Sequence, residues 1–268
     1  GTCRNFLRLF PMILRLMGCS PIAHKSFLKG RNINIENLNV EDCYLPKSTS
    51  LRVSRLGYYS EEQDENFITF NTLDGYLKTI KDYINTPNEK FKDISLDLKQ
   101  QVNNGTIQME SELYNHIRPK GVISKNVRAY NQLKENGIEY LEIRGVDISP
   151  NDITGMSKHH IRFLDLILIY CLITPSPLIS SEEKKLIDSN EYISIYNGRN
   201  DSAEINFDGR KVSIKQAKES ILDNLNTIAN YLEDSDTHID SIKFVTELTK
   251  GVIPKISFHE DGMIKAKK

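Results

Sequence analysis

The stretch from Gly137 to Asp147, with the sequence GIEYLEIRGVD, limits the possible folds of this chain more than any other segment. It is predicted to be a β-strand with Leu141 and Ile143 on one face and Glu142 and Arg144 on the other, because successive side chains alternate across a strand. A carboxylate and a guanidinium on one strand face are costly to bury unless they are paired or hold a charged ligand. The stretch therefore predicts a sheet with one core face and one face suited to charged groups.

Two other segments show the same alternation. Residues 50–54 place Arg52 between two serines on one face, while Leu51 and Val53 point to the other. Residues 112–118 carry a face that is polar throughout, formed by Glu112, Tyr114, His116 and Arg118. If these strands share a sheet, its polar face suits a carboxylate, a phosphate and a divalent cation.

The composition is that of an ordinary folded protein. The chain has 268 residues, of which 39% are hydrophobic and 26% charged, and this size is enough to bury a substantial core. Its 35 basic and 36 acidic residues leave a net charge of −1, so no basic surface for nucleic acid or membrane is expected. The four cysteines are widely spaced, so neither a zinc site nor a disulfide framework is predicted. Reduced thiols in a cytoplasmic protein are expected instead.

The N-terminal segment is apolar, and its residues Leu16–Cys19 resemble the cleavage site of a lipoprotein signal peptide. Arg8, Pro11 and Arg15 interrupt this segment, so a buried amphipathic helix that ends at Gly18 is the better interpretation than a signal peptide. No stretch approaches the ~20 apolar residues that cross a bilayer.

Along the chain, strands are expected mainly at 40–150 and helices at 155–251, which predicts an α+β fold and a single domain over 1–268. Helices are predicted at 4–17, 73–84, 126–136 and 158–173, then after Ser180, after Ser213 and at 239–248. The helix at 158–173 is apolar on nearly every side and is expected to be the central buried one. Short strands are expected at 51–54, 98–109, 110–118 and 138–144.

Several of these segments together resemble glutamate–cysteine ligase of the proteobacterial type. The resemblance rests on TSLRVSRLGY at 49–58, ESELYNHIRPK at 110–120 and GIEYLEIR at 137–144, and continues with VDISP at 146–150 and RFLD at 162–165. It covers most of the chain. The family's N-terminal segment, which supplies several magnesium-binding glutamates, is not found here, so the chain resembles the middle and later part of the enzyme.

The resemblance implies a glutamine synthetase-like fold, in which a curved, mainly antiparallel sheet is flanked by helices. It also implies a reaction in which ATP phosphorylates the side-chain carboxylate of L-glutamate and the amine of L-cysteine displaces the phosphate. This is the first step of glutathione biosynthesis. The implied cofactor is Mg²⁺ or Mn²⁺, and the partners are small-molecule substrates.

The resemblance also implies roles for individual residues. Arg144 would stabilise the transferred phosphoryl group, and Arg52 would hold glutamate or its phosphorylated form. Glu142 would be a metal ligand. The remaining substrate-binding residues would be Tyr58 and Tyr114, which resemble the tyrosines that bind the cysteine carboxylate, together with Arg118.

Two alternatives remain at this point. The enzyme could be a related carboxylate–amine ligase with another acceptor, because acceptor choice depends on details of the pocket. The chain alone could also be a non-catalytic fragment of the enzyme.

Overall fold

The computed structural model describes residues 1–57, 68–94, 96, 101–122, 127–150, 152–250, 257–258 and 264–265. Its helices are α1 Thr2–Met17, α2 Leu73–Asn85, α3 Ala129–Asn136, α4 Lys158–Ile173, α5 Ser181–Asn197, α6 Ile214–Ala229 and α7 Ser235–Lys250. Its strands are β1 Ile22–His24, β2 Glu36–Asn37, β3 Asp42–Tyr44, β4 Ile117–Lys120, β5 Tyr140–Ile143, β6 Glu204–Phe207, β7 Arg210–Ser213, β8 Ser257–Phe258 and β9 Ile264–Lys265. Within these residues, no helix is both long and apolar enough to cross a bilayer.

Helix α1 forms the centre of the core. Thirteen of its 16 residues are buried, and it packs against α4, α5, α6, α7 and strand β4. The predicted end of the helix is confirmed, because the amide of Gly18 donates to the carbonyl of Leu14 at 2.8 Å. The arginine positions that interrupt the apolar pattern make specific contacts, and Arg8 pairs with Glu183 at 2.6 Å.

Helix α4 is less enclosed than the sequence predicted. Its buried face includes Phe163, Leu166 and Cys171, each 0% exposed, but Leu172 is 71% and Ile173 is 63% exposed. Its N-cap is Ser157, which forms a capping box with His160. The central buried helix is α1 instead. The apolar composition of α4 does not show how many neighbouring elements surround it, which is why the prediction was wrong.

The strands within the described residues pair antiparallel in small groups. Strands β1, β3 and β2 form one sheet in that order, and three ladders pair β4 with β5, β6 with β7, and β8 with β9. The fold therefore combines helices with small antiparallel sheets, as an α+β class predicts. The β6–β7 hairpin lies among the C-terminal helices, and Asp208 and Gly209 form its turn with positive φ angles of 51° and 73°.

The strand predicted at residues 51–54 is wrong. The chain turns repeatedly there, and Ser50 makes a single parallel bridge to Ser20. Local bonds replace the ladder, because the amide of Ser54 donates to the Leu51 carbonyl at 3.1 Å and the Ser54 hydroxyl donates to that same carbonyl. Serine hydroxyls compete with sheet pairing in this way. Arg52 therefore projects from a turn.

The strand predicted at 110–118 is wrong over its first part. Residues Glu110–Glu112 form a 3₁₀ turn, and the strand begins only at Ile117. The expected strands around Asn103 are also absent from residues 101–109, where the Asn103 side chain receives the amide of Gly105 at 2.7 Å and donates to the carbonyl of Gln108 at 2.8 Å. Positions 97–100 lie outside the described residues.

Candidate functional site

The β4–β5 ladder produces the polar face that the sequence predicted. Its register places Arg118 directly opposite Glu142 and Lys120 opposite Tyr140. Residues that lie opposite each other in an antiparallel pair share a face. On the other face Ile117 is fully buried in the hydrophobic core, which fixes the sheet and leaves the charged residues on the side away from it.

Arg118 is buried on this polar face, with only 5% of its surface exposed. Its Nη1 donates to the main-chain carbonyl of Ser111 at 3.2 Å, while its Nε is buried without a hydrogen bond. Burial, and then the charge of Arg144, lowers the pKa of Arg118. Two guanidinium groups within electrostatic reach of each other create a local positive field, which favours an anionic ligand.

Glu142 supplies the carboxylate of this face. Its Oε2 lies 3.3 Å from the Nζ of Lys120, but no hydrogen bond of good geometry reaches that buried oxygen. The side chain as a whole is 38% exposed. A half-exposed carboxylate of this kind can ligate Mg²⁺, which proteins often bind through one or two carboxylates together with substrate phosphates.

The described part of the chain offers no fuller metal cage. Among those residues, no group of three or more His, Cys, Asp or Glu side chains is arranged to hold a metal. The predicted metal ligand Glu142 therefore stands apart from any such group in the described part of the chain.

Arg52 reaches the end of β5 from its turn. Its Nη2 donates to the main-chain carbonyl of Arg144 at 2.8 Å, and its Nη1 donates to that of Val146 at 3.3 Å. The same Nη1 lies 3.9 Å from Oδ1 of Asp147. Arg52 therefore contacts Arg144, the residue that follows β5. The alternating pattern predicted that Arg52 would lie near this polar strand, but Arg52 reaches it from a turn and not from a neighbouring strand.

Asp147 is a residue whose role sequence reasoning missed. Its side chain is 1% exposed and accepts hydrogen bonds from the amide of Cys19 at 2.9 Å and the hydroxyls of Ser20 at 2.7 Å and Ser50 at 2.8 Å. It thereby ties the end of α1 and the turn that carries Arg52 to the end of β5. In the sequence, Asp147 stands four residues after the last residue of β5, at the end of the Gly137–Asp147 stretch.

Tyr114 and Arg52 line one groove of about 490 Å³. Its other walls are formed mostly by apolar and small residues, namely Ser20, Ile22, Ala23, His24, Phe27, Leu51, Leu56 and Gly57. Tyr114 is 40% exposed in this position. Tyr58, the other predicted tyrosine, lies outside the described residues, so its placement stays a prediction.

His116 does not border this groove. Its Nε2 lies 2.8 Å from Oε1 of Glu191, and its ring stacks on Phe10 with centroids 3.7 Å apart. Phe10 is fully buried, so this imidazole packs against the core. The partner in α5 is 75 residues away along the chain, a contact that local sequence patterns do not reveal.

The predicted residues thus form two adjoining groups. Arg118, Glu142 and Arg144 belong to the end of the β4–β5 ladder, while Arg52 and Tyr114 line the neighbouring groove. The hydrogen bond from Arg52 to the carbonyl of Arg144 joins the two groups. Each of the two groups contains at least one arginine, so the arrangement can bind two anionic groups side by side. Glu142 adds a carboxylate to the group at the ladder.

Comparison with known proteins identifies the family. Residues 1–193 match the family model described as glutamate-cysteine ligase. The chain is 37% identical over 240 residues to a glutamate–cysteine ligase of Shewanella halifaxensis, covering 87% of this chain and 46% of that protein. It is 39% identical over 214 residues to the one of Wigglesworthia glossinidia brevipalpis, covering 78% and 42% respectively.

Solved structures show the same fold. A glutamate–cysteine ligase from Francisella tularensis in complex with AMP superposes with a TM-score of 0.85 at 24% identity, covering 95% of this chain and 51% of that one. A bifunctional glutathione synthetase from Pasteurella multocida gives a TM-score of 0.59 at 16% identity, covering 93% and 26%. The chain spans about half the length of the curated relatives it matches. With the family model matched over residues 1–193, this chain belongs to the glutamate–cysteine ligase family.

Proposed function

We propose that the whole protein to which this chain contributes is an ATP-dependent ligase that joins the side-chain carboxylate of L-glutamate to the amine of L-cysteine. Its location would be the cytoplasm and its partners small molecules. The membership of the family supports this activity, and the AMP bound to the Francisella tularensis relative supports a nucleotide as co-substrate. We also propose that the small antiparallel sheets described here belong to a curved, glutamine synthetase-like sheet in the whole protein.

The observation that carries the proposal is the cluster at the end of β5. Arg118 and Glu142 face each other, Arg144 adds a second guanidinium, and Arg52 bonds to the carbonyl of Arg144. In the proposed reaction a carboxylate oxygen of glutamate takes the γ-phosphoryl group of ATP and releases ADP. Negative charges crowd together in that step, so positioning and electrostatic neutralisation supply most of the catalysis.

The proposed roles follow from this arrangement. Arg144 neutralises the phosphoryl group in transfer, with Arg118 buried beside it as a further source of positive charge. Arg52 binds glutamate or its acyl phosphate at the boundary between the ladder and the groove. Mg²⁺ or Mn²⁺, held by Glu142, would neutralise charge on the nucleotide phosphates.

The groove next to Arg52 is then the place for the acceptor. The neutral cysteine amine attacks the carbonyl carbon of the acyl phosphate and the C–N bond forms. The bond from that carbon to the phosphoryl-bearing oxygen breaks, and inorganic phosphate leaves with this oxygen and with one proton from the amine. Tyr114 lines this groove, and a phenol can donate a hydrogen bond to the carboxylate of the acceptor. We propose the same role for Tyr58.

Phosphate release by the intact protein tests the proposal. Release from ATP is expected to require both glutamate and cysteine, with a dipeptide formed in equal amount. Replacement of cysteine by other small amines, such as alanine or glycine, tests the alternative acceptor. A higher kcat/KM with one of those amines would replace cysteine in the proposal, and the absence of release with every amine would overturn the ligase function itself.

A further inference from the structure

We propose that the pair formed by His116 and Glu191 holds the main chain at Arg144 and so positions its guanidinium, an inference that rests on the proposed function. Neither residue would touch substrate. His116 precedes β4, and Glu191 lies in α5, a helix that packs on α1. The pair thus connects the helical core to the residue expected to act on the phosphoryl group.

The imidazole of His116 is fixed on two sides. It stacks on the ring of Phe10 at a centroid distance of 3.7 Å and an interplanar angle of 13°. Its Nε2 donates to the carboxylate of Glu191, with 2.8 Å between Nε2 and Oε1, since an ionised carboxylate can only accept. The two side chains are only 19% and 21% exposed, so solvent screens this charge-assisted bond less than it would on an open surface.

The main chain of His116 in turn holds the residues after β5. Its carbonyl accepts from the amide of Arg144 at 2.8 Å and from the amide of Gly145 at 3.2 Å. One carbonyl therefore fixes two successive peptides at the place where the ladder ends. Any movement of His116 is transmitted directly to the backbone of Arg144.

Gly145 shows how closely this backbone packs on the fixed ring. A Cβ atom added there would lie 2.4 Å from Cε2 of Phe10 and 3.0 Å from Cβ of His116. The main chain at 145 thus rests directly against the stacked rings, and only glycine allows that approach. Phe10 is fully buried, which makes this a rigid support.

A support of this kind matters because phosphoryl transfer depends on position. Misplacement of a catalytic group by about 1 Å can cost on the order of a hundredfold in rate. Arg52 holds the carbonyl of Arg144, while His116 holds its amide. Loosening one of these contacts is expected to spread the positions of the Arg144 guanidinium without removing any group that binds substrate.

Steady-state kinetics of Glu191→Ala and His116→Phe in the intact protein test the inference. We expect kcat to fall about tenfold or more, while the KM for ATP, glutamate and cysteine each changes less than about twofold. Glu191→Gln keeps an acceptor oxygen at the same place and is expected to restore most of kcat. Glu219→Ala, an exposed glutamate of α6, is the matched control and leaves both parameters unchanged.

Hydrogen exchange gives a readout that does not depend on activity. The amides of Arg144 and Gly145 are expected to exchange faster in Glu191→Ala and in His116→Phe than in the parent protein, with the core of α1 unchanged. An unchanged kcat together with unchanged exchange at these amides overturns the inference. If the α1 amides also exchange faster in Glu191→Ala, that substitution has loosened the core, and the size-preserving His116→Phe becomes the deciding variant. An unchanged kcat in His116→Phe would then overturn the inference as well.

The two proposals fail in different ways. Absence of ligase activity in the parent protein would overturn the proposed function. The exchange rates of Arg144 and Gly145 would still show whether His116 and Glu191 hold this backbone. An active parent with unaffected variants would overturn only the positioning role.

Discussion

The guanidinium of Arg52 donates a hydrogen bond to the main-chain carbonyl of Arg144, with 2.8 Å between Nη2 and the oxygen. The residue proposed to hold glutamate is therefore attached to the backbone of the residue proposed to stabilise the phosphoryl group. The bond uses the main chain of Arg144, so the Arg144 side chain can be changed without breaking it. This separation makes the role of the Arg144 guanidinium testable on its own.

Arg144→Lys in the intact protein is expected to lower kcat about 10²–10³-fold, the usual effect of losing one donor that stabilises transition-state charge. Lysine keeps the charge but loses the planar fork that matches phosphoryl oxygens. The measurement is kcat at saturating ATP, glutamate and cysteine. Arg210→Lys, on the exposed part of β7, is the control and should leave kcat unchanged, and near-normal turnover by Arg144→Lys would contradict the role.

Tyr114→Phe is expected to raise the KM for cysteine more than the KM for glutamate or ATP. Loss of a phenol that donates to a carboxylate leaves that oxygen poorly paired, at a cost on the order of 1–3 kcal/mol, or up to about a hundredfold. The same result is expected for Tyr58→Phe. Steady-state kinetics with each substrate varied in turn measure the effect.

Tyr231 provides a matched control for both tyrosine variants, because its side chain is 87% exposed. Tyr231→Phe should change none of the three KM values. Equal losses for glutamate and cysteine in Tyr114→Phe would mean that this tyrosine supports the whole site. No loss for either substrate would mean that it is a packing residue of the groove.

Asp147→Asn is expected to lower the free energy of unfolding by about 2 kcal/mol. The carboxylate accepts bonds from Cys19, Ser20 and Ser50, and the loss of one bond to a charged group costs roughly 1.5–3 kcal/mol. The amide keeps one accepting oxygen and loses the charge beside Arg52. Urea unfolding measures the change; exposed Asp165→Asn is the control, and equal losses for both variants would count against this account.

The helices were predictable because each carries its own signals. The helix boundaries predicted at Gly18, Ser180 and Ser213 all stand at helix ends, where local side-chain or main-chain bonds satisfy the terminal groups. The polar face of β5 was predictable for the same reason, since alternation is a local property of a strand. These signals need only a few neighbouring residues.

The turn that carries Arg52 was mistaken for a strand, because alternation over five residues does not exclude turns closed by serine hydroxyls. The partners of His116 and Asp147 were missed for a different reason. Glu191 lies 75 residues from His116, and Ser50 lies 97 residues from Asp147. Contacts of that range depend on how helices and ladders pack, which one sequence does not show.

The Cys171 thiol should resist alkylation in the folded protein. It is fully buried, and burial, with the neighbouring Cys3 as a smaller cause, raises its pKa from 9.0 to about 12. Only the thiolate reacts, and about a tenth of an unhindered thiol is ionised one unit below its pKa. At pH 8 the native thiol should therefore react with iodoacetamide at least about 100-fold more slowly than the thiol in urea.

The same shift predicts how stability depends on alkaline pH. Because the pKa of Cys171 is higher in the folded than in the unfolded chain, its contribution is fully present below pH 9 and is lost as the pH rises toward about 12. The fall in unfolding free energy between pH 8 and pH 10 should be smaller in Cys171→Ala than in the parent protein. Mass spectrometry of alkylated protein and urea unfolding at both pH values provide the measurements. Alkylation of Cys171 at the same rate in native and unfolded protein would show that the thiol is open to solvent and would contradict both expectations.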